Sequence, residues 1–140
     1  ASTCARHLRG HAHAQVADSP GFLLTRILPH LSVTAPLPVV AVHHNCSAQR
    51  LGEPRATEAL AAAMAARVAV LTSVTCCGYA GDKGLFTPEL NAHATRFVRN
   101  DIPADCSLGI STVSTCAAGL SERAGVPFVS IASLLEAVTR

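Results

Sequence analysis

Four short apolar runs alternate with helical patterns, and that alternation most restricts what the chain can become. "LPVVAVHH" (37–44) is β-branched and apolar on consecutive positions, the pattern of a strand buried on both faces. "EPRATEALAAAMAAR" (53–67) is rich in Ala, Leu and Glu and predicts a helix, with Pro54 near its first turn. "VAVLTSV" (68–74) predicts a second strand running into Cys76. "TPELNAHATRFVRN" (87–100) predicts a helix with Thr87 as N-cap, Pro88 at the first helical position and Glu89 in the first turn. "CSLGIST", "CAAGLSERAG", "VPFVSI" and "ASLLEAVTR" continue as strand, helix stopped by Gly125, strand and helix. The fold class expected is α/β, a parallel sheet of about four strands flanked by helices.

With 140 residues, the chain has room for one domain with a hydrophobic core. Hydrophobic residues make up 49% and charged residues 14%, which argues against disorder. Net charge is +2, without a basic run or interleaved aromatics, so no nucleic-acid partner is expected. No run suits a bilayer-spanning helix and no signal peptide precedes residue 1. The missing initiator Met reads as a piece of a longer polypeptide. Residues 2–28 and 114–140 both begin Ser-Thr-Cys-Ala and share an expected order of helix, short extended stretch and helix. This predicts two units: 1–35 as the tail of a preceding related repeat, and 36–140 as a complete domain, with Pro36 and Pro38 at the boundary.

The six cysteines are Cys4, Cys46, Cys76, Cys77, Cys106 and Cys116. The adjacent pair disfavours a disulfide framework, and a reducing compartment with thiols used for metal or redox chemistry fits better. Cys46, Cys76, Cys77 and Cys116 each follow an expected strand, so a parallel sheet would bring them to its carboxyl edge. Four thiolates suit tetrahedral zinc or an iron–sulfur cluster. Neighbouring thiolates bond separate irons more readily than one zinc, which favours the cluster. A zinc set such as His44, Cys46, Cys76 and Cys116 stays open on spacing. Gly78, Gly81 and Gly84 supply a loop able to approach closely and aim N–H groups at sulfur. The loop lacks the Lys-Ser/Thr ending of a phosphate loop. Cys106 reads as a small buried hydrophobe. His43 or His44 could face the cluster, though a supporting hydrogen bond or solvent exposure is the more ordinary role. His7, His11, His13, His30 and His93 read as surface residues. Nothing in the sequence supports a substrate-converting site.

"VHHNCSAQRLG", "VTCCGYAGDKGLFTPELN" and "STVSTCAAGLSERAGVPFVSI" together resemble the cysteine-rich CCG domain. That domain ends many FAD-linked D-lactate dehydrogenases and recurs in glycolate oxidase and heterodisulfide reductase subunits. The resemblance covers 36–140 and leans to the lactate dehydrogenase branch. It implies a [4Fe–4S] cluster held by Cys46, Cys76, Cys77 and Cys116, with Gly78 and Gly81 in the cofactor-binding loop. The cluster would relay electrons from FAD, bound elsewhere in the polypeptide, to a quinone or cytochrome. Its partners would be the flavin-binding domain and that acceptor, in the cytoplasm or at the cytoplasmic face of the membrane through peripheral association of the whole enzyme. Cys4 would then be an orphan ligand of an upstream unit. One departure stands out: Val113 occupies the place where many relatives carry a further cysteine, which weighs against heterodisulfide-reductase-type thiol chemistry.

Overall fold

The computed structural model describes residues 2–11, 15–52 and 54–139. The chain opens with α1 (Ser2–Leu8) and α2 (Ser19–Phe22), which runs on as a π turn, Leu23–Ile27, and a 3-10 turn, Leu28–His30. Then come β1 (Leu37–His43), α3 (Cys46–Leu51), α4 (Pro54–Met64), β2 (Ala65–Val70), α5 (Lys83–Phe86) and α6 (Pro88–Ala94). A 3-10 turn at Val98–Asp101 leads to β3 (Gly109–Ser111), α7 (Ser114–Ala124), β4 (Phe128–Ser130) and α8 (Ile131–Val138).

All four strands pair in parallel, in the order β2-β1-β3-β4. The chain therefore steps from β1 to one side, returns across it, and continues on the other side. Right-handed crossovers on opposite sides of β1 must leave by opposite faces, and this makes a doubly wound, three-layer α/β sheet. Packing agrees. Val40, Val42 and Ile110 face α4, α8 and the 23–31 segment, while Val39 and Ala41 face α7 and Val98. Val40, Ala41 and Val42 are all 0% exposed, so the strand needs apolar side chains on both faces rather than alternation.

Three local expectations shift. The alanine-rich helix stops at Met64, and Ala65 and Arg67 pair with Leu37 and Val39 of β1. Pairing along a buried strand outweighs alanine's helical preference. Consequently β2 ends at Val70. Leu71 still donates its N–H to Val42, but Ser73 N–H and Thr72 Oγ1 turn to the Asp101 carboxylate and lead the chain off the sheet. The helix expected over 87–100 breaks after Ala94, and Thr87 makes no side-chain cap. Side-chain caps form at Asn45 and Ser130 instead.

Among the described residues of the amino-terminal segment, helices flank Gln15–Asp18, which forms no strand. The short extended element that the expected repeat of 114–140 requires is thus not found among the described residues there. Residues 23–33 lie on the α4–α8 core, Val33 bridges Thr139, and Thr34 N–H donates to the Val138 carbonyl. Among the described residues no helix is long and apolar enough to cross a membrane.

Candidate functional site

The order reverses between β1 and β3, and a doubly wound sheet opens its crevice beyond the carboxyl ends of those two strands. Asn45 stands there. Its side-chain oxygen accepts from Ser47 N–H at 3.1 Å and Ala48 N–H at 2.9 Å, capping α3, and its amide donates to Thr112 Oγ1 beyond β3. One side chain thereby fixes the start of α3, and with it Cys46, relative to the β3 end that launches α7 and Cys116.

Cys46, Cys76, Cys77 and Cys116 all line one pocket of about 270 Å³, with Asn45 and Gly81 in its wall. They arrive by different routes. Cys46 is the first residue of α3 and Cys116 lies in the first turn of α7. Cys76 and Cys77 come on the loop after β2, six and seven residues beyond Val70 and not directly at the strand's end. Cys77 and Cys116 are buried with their sulfurs 2.8 Å apart, while Cys46 and Cys76 are exposed.

The glycines shape this loop. Gly78 and Gly81 have φ of 76° and 85°, and Ala80 between them also takes a left-handed φ of 45°. At Gly78 a Cβ would stand 2.4 Å from the Leu90 carbonyl oxygen, so only glycine lets the loop lie against α6. Gly78 N–H points at Cys76 Sγ, 3.4 Å away, but Gly84 N–H is taken by the Tyr79 carbonyl.

Two residues important to the site carried no obvious sign in the sequence. Asn91 Nδ2 donates to the carbonyls of Cys77 and Gly119, tying loop, α6 and α7 together. Buried Tyr79 lies against Gly84 and Gly119, where a Cβ would meet its ring at 2.7 and 2.4 Å, and its hydroxyl donates to Glu122. The only trace in the sequence is a pair of small residues, at 84 and 119, whose partner local pattern cannot supply.

The thiols titrate unequally. The hydrogen bond with Cys116 brings Cys77 down to about 7, against the opposing effect of burial. Cys116 moves the other way: it keeps its proton in that same bond, and burial and the neighbouring thiols add to the upward shift. Of the two, Cys77 is therefore the thiol that ionises first.

Among the described residues no group of three or more His, Cys, Asp or Glu side chains is arranged to hold a metal ion. The donor chemistry and location fit such a group, because four thiols and no carboxylate line one pocket. The spacing does not yet fit. Two thiolates on one zinc, with bonds of about 2.3 Å at tetrahedral angles, lie about 3.8 Å apart. Cys77 and Cys116 would have to separate by roughly 1 Å, and irons within a cluster would ask for more.

Neither histidine of β1's end lines this pocket, and neither is solvent-exposed. His43 is 0% exposed, its Nδ1 3.2 Å from Ser111 Oγ, and burial followed by the charge of His44 lowers its pKa to about 4. His44 Nε2 contacts Glu58 Oε1 at 2.8 Å and borders a separate cavity with Thr72 and Thr75. The mixed zinc set containing His44 is therefore not assembled. Cys106 is buried in the α7-side core, as expected, and its thiol donates to the Leu108 carbonyl. Cys4 is exposed on α1, outside the pocket lining. His7, His11, His30 and His93 are exposed, and His13 lies outside the described residues.

Fold and site define a doubly wound α/β domain with a cysteine-lined crevice at its switch point. No family model matches the chain, and neither curated proteins nor solved structures give a significant match.

Proposed function

We propose that this chain is the carboxyl-terminal iron–sulfur electron-transfer domain of a FAD-dependent D-lactate or related D-2-hydroxyacid dehydrogenase. One observation carries the reading: four cysteines spread from position 46 to position 116 line a single pocket at the sheet's switch point. Cys46, Cys76, Cys77 and Cys116 would hold a [4Fe–4S] cluster, which when bound supplies one-electron exchange. The chain's own residues prepare the ligands. Gly78 N–H offers positive charge to the Cys76 sulfur, and Cys77, already poised to ionise near neutrality, gives up its proton at little cost. Val113 closes the wall where a further thiol would stand in thiol-active relatives. Oxidation of the hydroxy acid and FAD binding belong to another part of the polypeptide, and a quinone or cytochrome takes the electrons.

A second reading, a zinc-stabilised structural or docking module, is favoured by the Cys77–Cys116 distance, which is nearer to single-ion than to cluster spacing. Anaerobic reconstitution with iron and sulfide, read by metal and sulfide content and optical spectrum, separates the two. A brown protein with about four irons per chain, lost in Cys46→Ser and Cys116→Ser but kept in Cys106→Ser, is expected. A colourless protein that takes up about one zinc through the same cysteines would establish the docking module instead.

A further inference from the structure

The other end of α7 carries a feature that electron transfer does not use. Arg96, Arg99 and Arg123 surround a concavity of about 280 Å³, with Thr95 and Ala92 in its wall. Among the described residues none of the three arginines has a carboxylate partner. The acidic groups nearby in sequence are engaged elsewhere: Asp101 accepts from Ser73 and Thr72, and Glu122 from Tyr79. Three guanidinium charges thus share one hollow without a counter-charge among the described residues.

Nor are they loose. Arg99 Nε donates to the Arg123 carbonyl at 2.9 Å, in the last turn of α7. Arg96 Nη1 donates to the His93 carbonyl at 2.6 Å, and its guanidinium stacks 4.7 Å from the centre of the Phe97 ring. Capping a helix end accounts for one arginine. It does not account for three. Each guanidinium has five N–H donors, so most remain free, in a planar fork that matches phosphate oxygens. Backbone bonds that orient two of the forks beforehand reduce the ordering loss on binding.

We propose that this concavity is a binding site for a phosphate or diphosphate group, separate from the cysteine pocket and independent of whether that pocket holds metal. A hollow rather than a flat face, with arginine the only charged residue type lining it among the described residues, favours a compact oxyanion over an acidic protein surface. The group could be carried by a soluble metabolite or by a lipid headgroup.

Two arms distinguish these sources with the 140-residue chain. In the first, pyrophosphate is titrated at constant ionic strength against sodium chloride, and Tm and binding heat are followed. In the second, the protein is floated with vesicles containing phosphatidylglycerol. Expected is a pyrophosphate-specific rise in Tm, or flotation, weakened roughly tenfold for each fork removed in Arg96→Gln and Arg123→Gln. Both side chains are exposed, and Arg99, which caps α7, is left in place. Arg96→Lys with Arg123→Lys keeps the charge but not the fork, and should recover only part of the binding. A pyrophosphate effect equal to that of sodium chloride with no flotation, or binding unchanged in the glutamine variants, would overturn the proposal.

Discussion

The two ends of α7 are built from opposite materials. At its amino end, Cys116 is buried against Cys77, Tyr79 packs on Gly119, and the backbone of the 76–84 loop touches α6. At its carboxyl end, Arg123 is exposed beside Arg99 and Arg96, around an open hollow. The helix dipole favours negative charge at the first end and positive charge at the second, and the side chains follow that division. Close packing is what differs. A site that controls thiols needs water excluded and distances fixed, whereas a site that attracts an anion needs charge and access.

Glycine substitutions at the two ends put this contrast to its strongest test. Both Gly78 and Gly125 have left-handed φ, 76° and 80°. A Cβ at Gly78 would collide with the Leu90 backbone, while at Gly125 the nearest neighbour is the flexible Arg99 side chain at 3.9 Å. Gly78→Ala should therefore lower stability by about 4 kcal/mol, strain and collision together, and Gly125→Ala by about 1 kcal/mol. Urea denaturation measures both, and equal losses would mean that the cysteine end is no more tightly packed than the arginine end.

Acid should act through the crevice side. His43 is buried with its pKa at about 4, below its ordinary 6.5, beside His44 and bonded to Ser111. As pH falls, the unfolded chain takes up this proton first, so the contribution is complete above pH 6.5 and is lost between 6.5 and 4. About 3 kcal/mol is at stake. In His43→Asn the decline in unfolding free energy across that interval, from urea denaturation, should shrink by a comparable amount, and a decline as steep as in the parent would place the acid sensitivity elsewhere.

An effect smaller than that of acid concerns the link between β1 and α7. Asn45→Ala removes the α3 cap and the bond to Thr112, and should lower stability by about 1.5 kcal/mol. Because the same residue fixes Cys46 relative to Cys116, iron retained after anaerobic reconstitution should fall as well. Retention at the parent level would show that the pocket does not depend on this tie.

By itself the sequence determined the layers and most of their order. The apolar run 37–44, the strand-like segments and the helices between them specify a parallel sheet, because residues on a strand buried on both faces need no partner information to be recognised. Pro88 at a helix start and Gly125 past a helix end act through local backbone geometry, and both were readable for that reason. Strand ends also told where the cysteines would gather, since a parallel sheet collects them on one edge whatever its exact register. Tertiary structure decided the rest. Ala65–Arg67 became strand through pairing with β1, Cys76 was moved beyond the end of β2 by the Asp101 contacts, and Cys77 met Cys116 rather than Cys46. The arginine hollow joins residues from two neighbouring turns to one from α7. Each of these depends on which distant backbone lies alongside, and a chain's local periodicity does not record its neighbours across the fold.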